Sequence, residues 1–373
     1  MFLLVPSAIL IIYAVLSGIV PLKTSWLKKI LLALIVVFVG LKYQIYTLDG
    51  GTLMQPSVSR TGMIVLETLY GSLIFFVILL FIKDLANLIL FVLRKLGKYS
   101  GKNANGNSII GLMVLAALMA ASVGTYEAIK VPEVKTVEIT LKGLNPVWKG
   151  FKIVQLSDIH IGPVQRKEWL QQVVDKVNAL NPDVVVITGD FVDGPTRDLF
   201  GELQPLENIK AIYGIIGIPG NHEYYSGYAA WMNALKMHGI TMLQNQSVVL
   251  RKDNQALVIG GTTDFGASRF GLENPDIKKT FNHTEMAPRI LLTHQPKTTY
   301  RTAEPFDLQL SGHTHGGHLF FLYPLIGYFN DWLVSGLYQR GDRQIYVSNG
   351  TGLWSGFSQR FGVPSEITEI ILR

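Results

Sequence analysis

Five short polar clusters fall within residues 158–315: Asp158-Ile159-His160, Gly189-Asp190, Gly220-Asn221-His222-Glu223, His294 and Gly312-His313-Thr314-His315. They hold five of the chain's eight histidines, together with two aspartates and an asparagine. Mixed nitrogen and oxygen donors of this kind suit a pair of divalent metals. Each cluster lies at or just after an apolar run that reads as a strand, and open α/β sheets place their sites in the loops beyond strand ends.

Taken singly, each cluster has an ordinary reading. If the strand over Phe151–Gln155 runs on, Asp158 and His160 point to one side, because side chains alternate with period two; a lone D-x-H is nevertheless common by chance. Asp190 offers two oxygens and can bridge two cations, yet an Asp after Gly more often caps a turn. The neighbouring Asp193-Gly194 reads as turn chemistry. Asn221 can present a carbonyl oxygen, His222 can donate a proton and Glu223 can orient that imidazole. His294 ends the run Ile290–Thr293. His313 and His315 share a face if their segment is extended, among glycines that let backbone approach a ligand closely. His318 reads as a surface histidine.

As an ordered set, the clusters resemble the calcineurin-like metallophosphoesterase superfamily, whose pattern is D-x-H, G-D, G-N-H-[ED], H and G-H-x-H. The resemblance covers about residues 150–373, and all five blocks are intact. The stretches Thr188–Gly194, Ser311–Gly317, Tyr346–Gly352 and Arg360–Pro364 are similar to the membrane-attached branch of that family; His318 stands where glutamine is more usual. The resemblance implies that Asp158, His160 and His315 hold one metal, that Asn221, His294 and His313 hold a second, and that Asp190 bridges them. It makes His222 the general acid. Two ions about 4 Å apart would clamp a phosphate and acidify a water for in-line attack. Mn, Fe, Zn and Co all accept such ligands, so the identity of the two divalent ions stays open.

These clusters need a scaffold. Beyond a short linker containing Pro132, strands are expected at Val137–Leu141, Phe151–Gln155, Val184–Ile187, Ile212–Ile216, Ala256–Ile259, Ile290–Leu292, Leu308–Leu310, Gln344–Val347 and Ile367–Leu372. Helices are expected at Lys167–Ala179, with Leu170, Val173, Val174 and Val177 at helical spacing, and at Tyr228–His238. Short βα units imply a mostly parallel sheet covered by helices. The expected fold is a multi-span α-helical membrane region over residues 1–130, then an α/β metallophosphoesterase domain over 136–373. The resemblance makes that domain an α/β/β/α sandwich of two packed sheets flanked by helices.

Residues 1–130 carry 11 Lys/Arg against four Asp/Glu, a net charge of +7, whereas residues 131–373 carry 22 against 23. The basic character therefore belongs to the N-terminal half, and no nucleic-acid partner is expected of the globular half. Cysteine is absent, which excludes disulfides and thiolate ligands. Four apolar runs, Phe2–Val20, Ile30–Thr47, Met63–Ile82 and Ile109–Tyr126, approach the roughly 20 residues that span a bilayer. Leu85–Leu93 is shorter and reads as an interfacial helix. Lys23, Lys28 and Lys29 follow the first run, and Lys83, Arg94, Lys95, Lys98 and Lys102 follow the third; basic loops stay cytoplasmic. Both termini and the globular domain are then expected outside the cytoplasm of a bacterial inner or plasma membrane. Glu67 and Lys42 are the ionisable residues well inside these runs.

The bilayer and a phosphoester substrate are the expected partners. Leu319–Leu337 is rich in aromatic residues, among them Phe320, Phe321, Tyr323, Tyr328, Phe329 and Trp332, followed by Trp354 and Phe357. It reads either as core or as a greasy lip for an acyl chain, the second giving a lipid-linked phosphodiester or pyrophosphate substrate. Two alternatives remain: a cytoplasmic-facing pyrophosphatase of the UDP-2,3-diacylglucosamine type, and a membrane sensor with a vestigial site.

Overall fold

A computed structural model describes residues 4–101, 106–282, 284–299 and 304–373. Its contacts divide the chain into two units. The first comprises Met1–Glu127 with Gly356–Phe361, and the second Ala128–Ser355 with Gly362–Arg373. Phe2 and Lys102, which figure in the sequence expectations, lie outside the described residues.

The first unit is helical: α1 (Leu4–Tyr13, running on as a π-helix over Ala14–Ile19), α2 (Trp26–Gly40), α3 (Lys42–Tyr46), α4 (Arg60–Lys95) and α5 (Asn107–Ile129). Two of these, α4 and α5, are long and apolar enough to cross a membrane. Ser59 caps α4, its Oγ accepting from the amide of Gly62 at 3.2 Å. The expected interfacial helix over Leu85–Leu93 is not a separate element, because α4 runs unbroken through it. No Gly or Pro interrupts the register there. The charges thought to mark a boundary are used internally instead: Lys83 Nζ donates to the carbonyl of Ser17 at 2.8 Å, and Asp84 accepts from the Tyr13 hydroxyl at 2.8 Å. The second apolar run is divided, with Leu41 (φ −87°, ψ 20°) separating α2 from α3.

Within this unit Lys42 and Glu67 form a fully buried ion pair, Nζ to Oε1 2.8 Å. The Tyr46 hydroxyl donates to the same oxygen at 2.8 Å, and the Ser358 amide donates to Oε2 at 2.9 Å. Lys42 also donates to the carbonyl of Gly356 at 2.9 Å and lies 4.3 and 4.4 Å from the ring centres of Tyr43 and Tyr70. Gln359 Nε2 donates to the Glu67 carbonyl and the Thr125 hydroxyl. Its side chain fits against Gly71 and Gly124, where an added Cβ would approach it to 2.5 Å. A charge buried this deeply persists only when paired and hydrogen-bonded.

The second unit contains two six-stranded sheets. The first has the order β1 (Glu133–Ile139), β12 (Glu366–Leu372), β2 (Lys152–Leu156), β3 (Val184–Ile187), β4 (Ile215–Gly217) and β5 (Ile240–Met242). The second has the order β10 (Gly336–Arg340), β11 (Arg343–Val347), β9 (Leu308–Ser311), β8 (Arg289–Leu292), β7 (Gln255–Gly261) and β6 (Gln246–Lys252). Both are mixed. β2 to β5 run parallel, as do β7, β8, β9 and β11, but β12 pairs antiparallel with β2. The antiparallel hairpins β6–β7 and β10–β11 close the ends of the parallel run. The first hairpin turns through Asp253 and Asn254, both left-handed (φ 48° and 60°), the two-residue loop that matches strand twist.

Alternation along β3 divides the core. Val184 and Val186 pack with Leu257, Ile259, Ile290 and Leu310 of the other sheet. Val185 and Ile187 pack against Leu170, Val173 and Val177 of α6 (Lys167–Ala179) and Trp231 and Leu235 of α8 (Asn221–Met237). The short α7 (Thr196–Leu199) precedes α8. On the outer face of the second sheet, Ile277 of α9 (Ile277–Thr280) joins Phe281, Val258 and Leu291. α10 (Tyr323–Phe329) lies in the aromatic segment. The helix expected from Tyr228 starts at Asn221 and continues through a kink at Gly227 (φ 106°).

Candidate metal centre

The parallel strands β2, β3, β4, β8 and β9 all deliver their following loops to one edge. Asp158, Asp190, Asn221, His294 and His313 therefore converge although up to 155 residues separate them, as in the hydrogen bond from the His313 amide to Asp158 Oδ1 (3.1 Å). The local geometry differs from the extended one expected. Asp158 (φ 53°), His160 (φ 50°), Asp190 (φ 55°), His313 (φ 70°) and His315 (φ 49°) are all left-handed. Alternation stops with the strand, so successive tight turns, and not a shared strand face, aim each pair of side chains at one point. Residues in such sparsely populated backbone regions cluster at functional sites, held there by the surrounding structure. Gly189 (φ 90°) is required here, since a Cβ would lie 2.7 Å from the backbone of Gly220.

The donor atoms fall into two groups that share Asp190. In the first, His160 Nε2 lies 4.0 Å from Asp158 Oδ1 and 3.7 Å from Asp190 Oδ2, and His315 Nε2 lies 3.5 Å from Asp158 Oδ1. His160 Nδ1 pairs with Asp193 Oδ1 at 2.9 Å, which leaves Nε2 buried without a hydrogen-bond partner. In the second, His294 Nδ1 donates to the Thr188 carbonyl at 2.8 Å. Nε2 of the neutral ring then carries its lone pair. It faces Asn221 Oδ1 at 3.1 Å, Asp190 Oδ2 at 3.2 Å and His313 Nδ1 at 3.3 Å. Acceptors that point at one another this closely repel unless a cation lies among them. The residues thus fit a pair of divalent ions, with carboxylate or carbonyl partners fixing His160 and His294 from behind.

The electrostatics agree. Burial works against charge on Asp190, yet His294, His222 and His160 outweigh it and hold the carboxyl well below its usual range. Burial likewise opposes charge on His294, but Asp190 and Asp158 raise its pKa well above the usual range, so either a proton on Nε2 or a metal ion can supply the positive charge these acceptors demand. His313, buried beside His294, is pushed down to about 3, which keeps it in the neutral form that a metal ligand would need.

His222 stands next to the cluster. Its Nδ1 lies 2.6 Å from Asp193 Oδ1 and its Nε2 3.9 Å from Asp190 Oδ2. Against the cost of burial, Asp190 and Asp193 push its pKa up to about 9. Three sequence readings change here. Asp193 is no mere turn residue: fully buried, it holds both His160 and His222. The signal was its position three residues after Asp190, which one tight turn converts into adjacency. Glu223 does not orient the imidazole; its carboxylate accepts from the amides of Gly220 (2.7 Å), Phe191 (2.8 Å) and Asp190 (3.0 Å), fixing the Asp190 turn. His318 is half-buried, with its ring 4.8 Å from that of His315.

Residues 151–317 match the family model described as calcineurin-like phosphoesterase. A metallophosphoesterase of Campylobacter jejuni is 39% identical over 272 residues, covering 71% of this chain and 69% of that protein. The transmembrane protein with metallophosphoesterase domain of Danio rerio is 34% identical over 300 residues, covering 75% and 68%. The metallophosphoesterase YkuE of Bacillus subtilis is 32% identical over 279 residues, covering 71% and 95%. The chain belongs to the calcineurin-like metallophosphoesterase family, and its class is that of metal-dependent phosphoric ester hydrolases.

Proposed function

We propose that the chain is a membrane-anchored phosphoesterase with a dinuclear metal centre, hydrolysing a phosphodiester or pyrophosphate bond of a lipid-linked substrate. The carrying observation is the buried His160 Nε2, which has no hydrogen-bond partner and faces Asp158 and Asp190 at ion-sized separations. Asp158, His160 and His315 would hold one divalent ion, Asn221, His294 and His313 the other, with Asp190 between them. Bound there, the two ions offset phosphate charge and acidify water. The chain's own part is to fix the donors, through Asp193 and the Thr188 carbonyl, and to keep a proton on His222. His222 delivers that proton to the departing oxygen. Metal analysis of the purified protein, with hydrolysis of bis(p-nitrophenyl) phosphate before and after chelation, tests this. A protein that binds no metal, or that hydrolyses equally well without it, would end the assignment.

The anchor rests on the apolar α4 and α5 and on the four apolar runs of the N-terminal half. The distribution of lysine and arginine favours an extracytoplasmic catalytic domain. A reporter fused after Arg373 that is active only in the cytoplasm would reverse that orientation. The lipid-linked substrate rests on the aromatic segment after the donor histidines, where Phe320, Leu325, Tyr328, Phe329 and Trp332 are all more than half exposed. Exposed aromatic groups of this sort favour the membrane–water interface. Equal rates on a soluble diester and on its acylated counterpart in vesicles would count against it.

A further inference from the structure

One wall of the metal centre is built from residues that the hydrolytic assignment leaves unused. Tyr225 lies one turn into α8 from Asn221, whose side chain acts on its hydroxyl. The Tyr225 ring is 5.6 Å from the ring of His222 and 5.8 Å from that of Phe270. Phe270 ends the short 3₁₀ turn Ala267–Phe270, in which Arg269 is exposed.

The loop carrying this turn is pinned. Asp264, nearly fully buried, accepts from the Gly266 amide at 2.7 Å and from Gln295 Nε2 at 3.1 Å, directly after the ligand position His294. Tyr225 and Phe270 nevertheless keep 49% and 45% of their surface open. Arg269 forms no ion pair among the described residues, and its charge reaches the Tyr225 hydroxyl. An uncommitted guanidinium next in the chain to Phe270, whose ring meets that of Tyr225, can serve as a receptor for an anion that carries an apolar or flat substituent. Because this wall adjoins His222, it faces the group that departs.

Resting on the hydrolytic reading above, we infer that Arg269 is a specificity residue that binds a second phosphate on the leaving group, with the rings of Tyr225 and Phe270 packing against its substituent. The scissile bond is then a phosphoanhydride. A water oxygen bonds to one phosphorus and the bridging P–O bond breaks. The bridging oxygen leaves with the second phosphate, and one water proton ends on each product monoester.

The test uses the full-length, metal-loaded protein with two probes: ADP-ribose, which contains a phosphoanhydride, and bis(p-nitrophenyl) phosphate, which has a single phosphate. Arg269→Gln is expected to raise KM for ADP-ribose about tenfold with little change in kcat, the scale of one lost charge-assisted hydrogen bond. The ratio of kcat/KM for ADP-ribose to that for bis(p-nitrophenyl) phosphate falls correspondingly, and Arg269→Lys recovers part of it. A ratio within twofold of the native one overturns the Arg269 assignment, as does native hydrolysis of bis(p-nitrophenyl) phosphate alone. Metal-independent or absent hydrolysis of both probes overturns the phosphoesterase reading itself.

Discussion

Two buried polar clusters, one in each unit, solve the problem of interior charge in opposite ways. Around Lys42 and Glu67 every strong group has a complement: ammonium meets carboxylate, the second carboxylate oxygen meets a backbone amide, and the tyrosine rings face the cation. Around Asp190, among the described residues, three lone-pair-bearing groups crowd His294 Nε2 at 3.1–3.3 Å with no protein cation between them, and His160 Nε2 has no hydrogen-bond partner. The first cluster is complete as the chain folds it. The second, on the reading proposed above, is complete only with cations, and that would separate a structural buried charge from a functional one. Conserving charge balance is not enough to make the distinction; the direction of each lone pair decides it.

The largest expected effect tests the second cluster. Asp190→Asn removes the carboxylate shared by both groups, and metal-dependent hydrolysis should fall on the order of 10⁴-fold, about 5.5 kcal/mol of transition-state stabilisation. Parallel loss of metal from the purified variant, measured by elemental analysis, accompanies it; full activity would erase the contrast between the clusters. Next comes Lys42→Met, which leaves Glu67 buried without its cation and should lower unfolding stability by about 3–5 kcal/mol. The pair Lys42→Met with Glu67→Leu should recover most of that loss, because matched apolar groups need no partner. Thermal unfolding in detergent reads both, and a double variant no better than the single one would show that the first cluster is not self-contained.

Chelation gives a third measure. Removing ions held at 100 times their Kd should cost the folded state about 2.7 kcal/mol for each ion lost, visible as a lower Tm that added metal restores. The Lys42→Met variant should show the same metal-dependent difference as the native chain. The smallest effect is expected from Asp193→Asn, which leaves the donors in place but loosens His160 and His222. Losses of about 10–100-fold in metal affinity or activity are typical for such supporting partners. Titration of metal into the stripped variant tests it, and an unchanged affinity would return Asp193 to the turn role its sequence position first gave it.

Much of the catalytic unit was legible in the chain. Val184–Ile187 reads as a strand and Lys167–Ala179 as a helix, and both form with those bounds, because strongly patterned apolar residues set the period locally. The β6–β7 and β10–β11 hairpins were only partly read: β7 and β11 appear as strands, while β6 and β10 do not. Their half-exposed strands lack an unbroken apolar run, although Asp253-Asn254 carried a turn signal. Asp193 was passed over because its partners, His160 and His222, lie 33 and 29 residues away.

The sequence by itself determined the donor chemistry: which residues can bind a cation, that each follows a strand, and that no thiolate competes. Tertiary structure decided the rest. Sheet register brings Asp158 and His313 within a hydrogen bond across 155 residues, and left-handed turns past the strand ends, not strand alternation, set the direction of each donor. It also assigned Gly356–Phe361 to the helical unit, where Lys42 and Glu67 hold that segment. Local propensity fixes the shape of each segment, but whether two lone pairs meet head-on depends on where separate segments are finally packed.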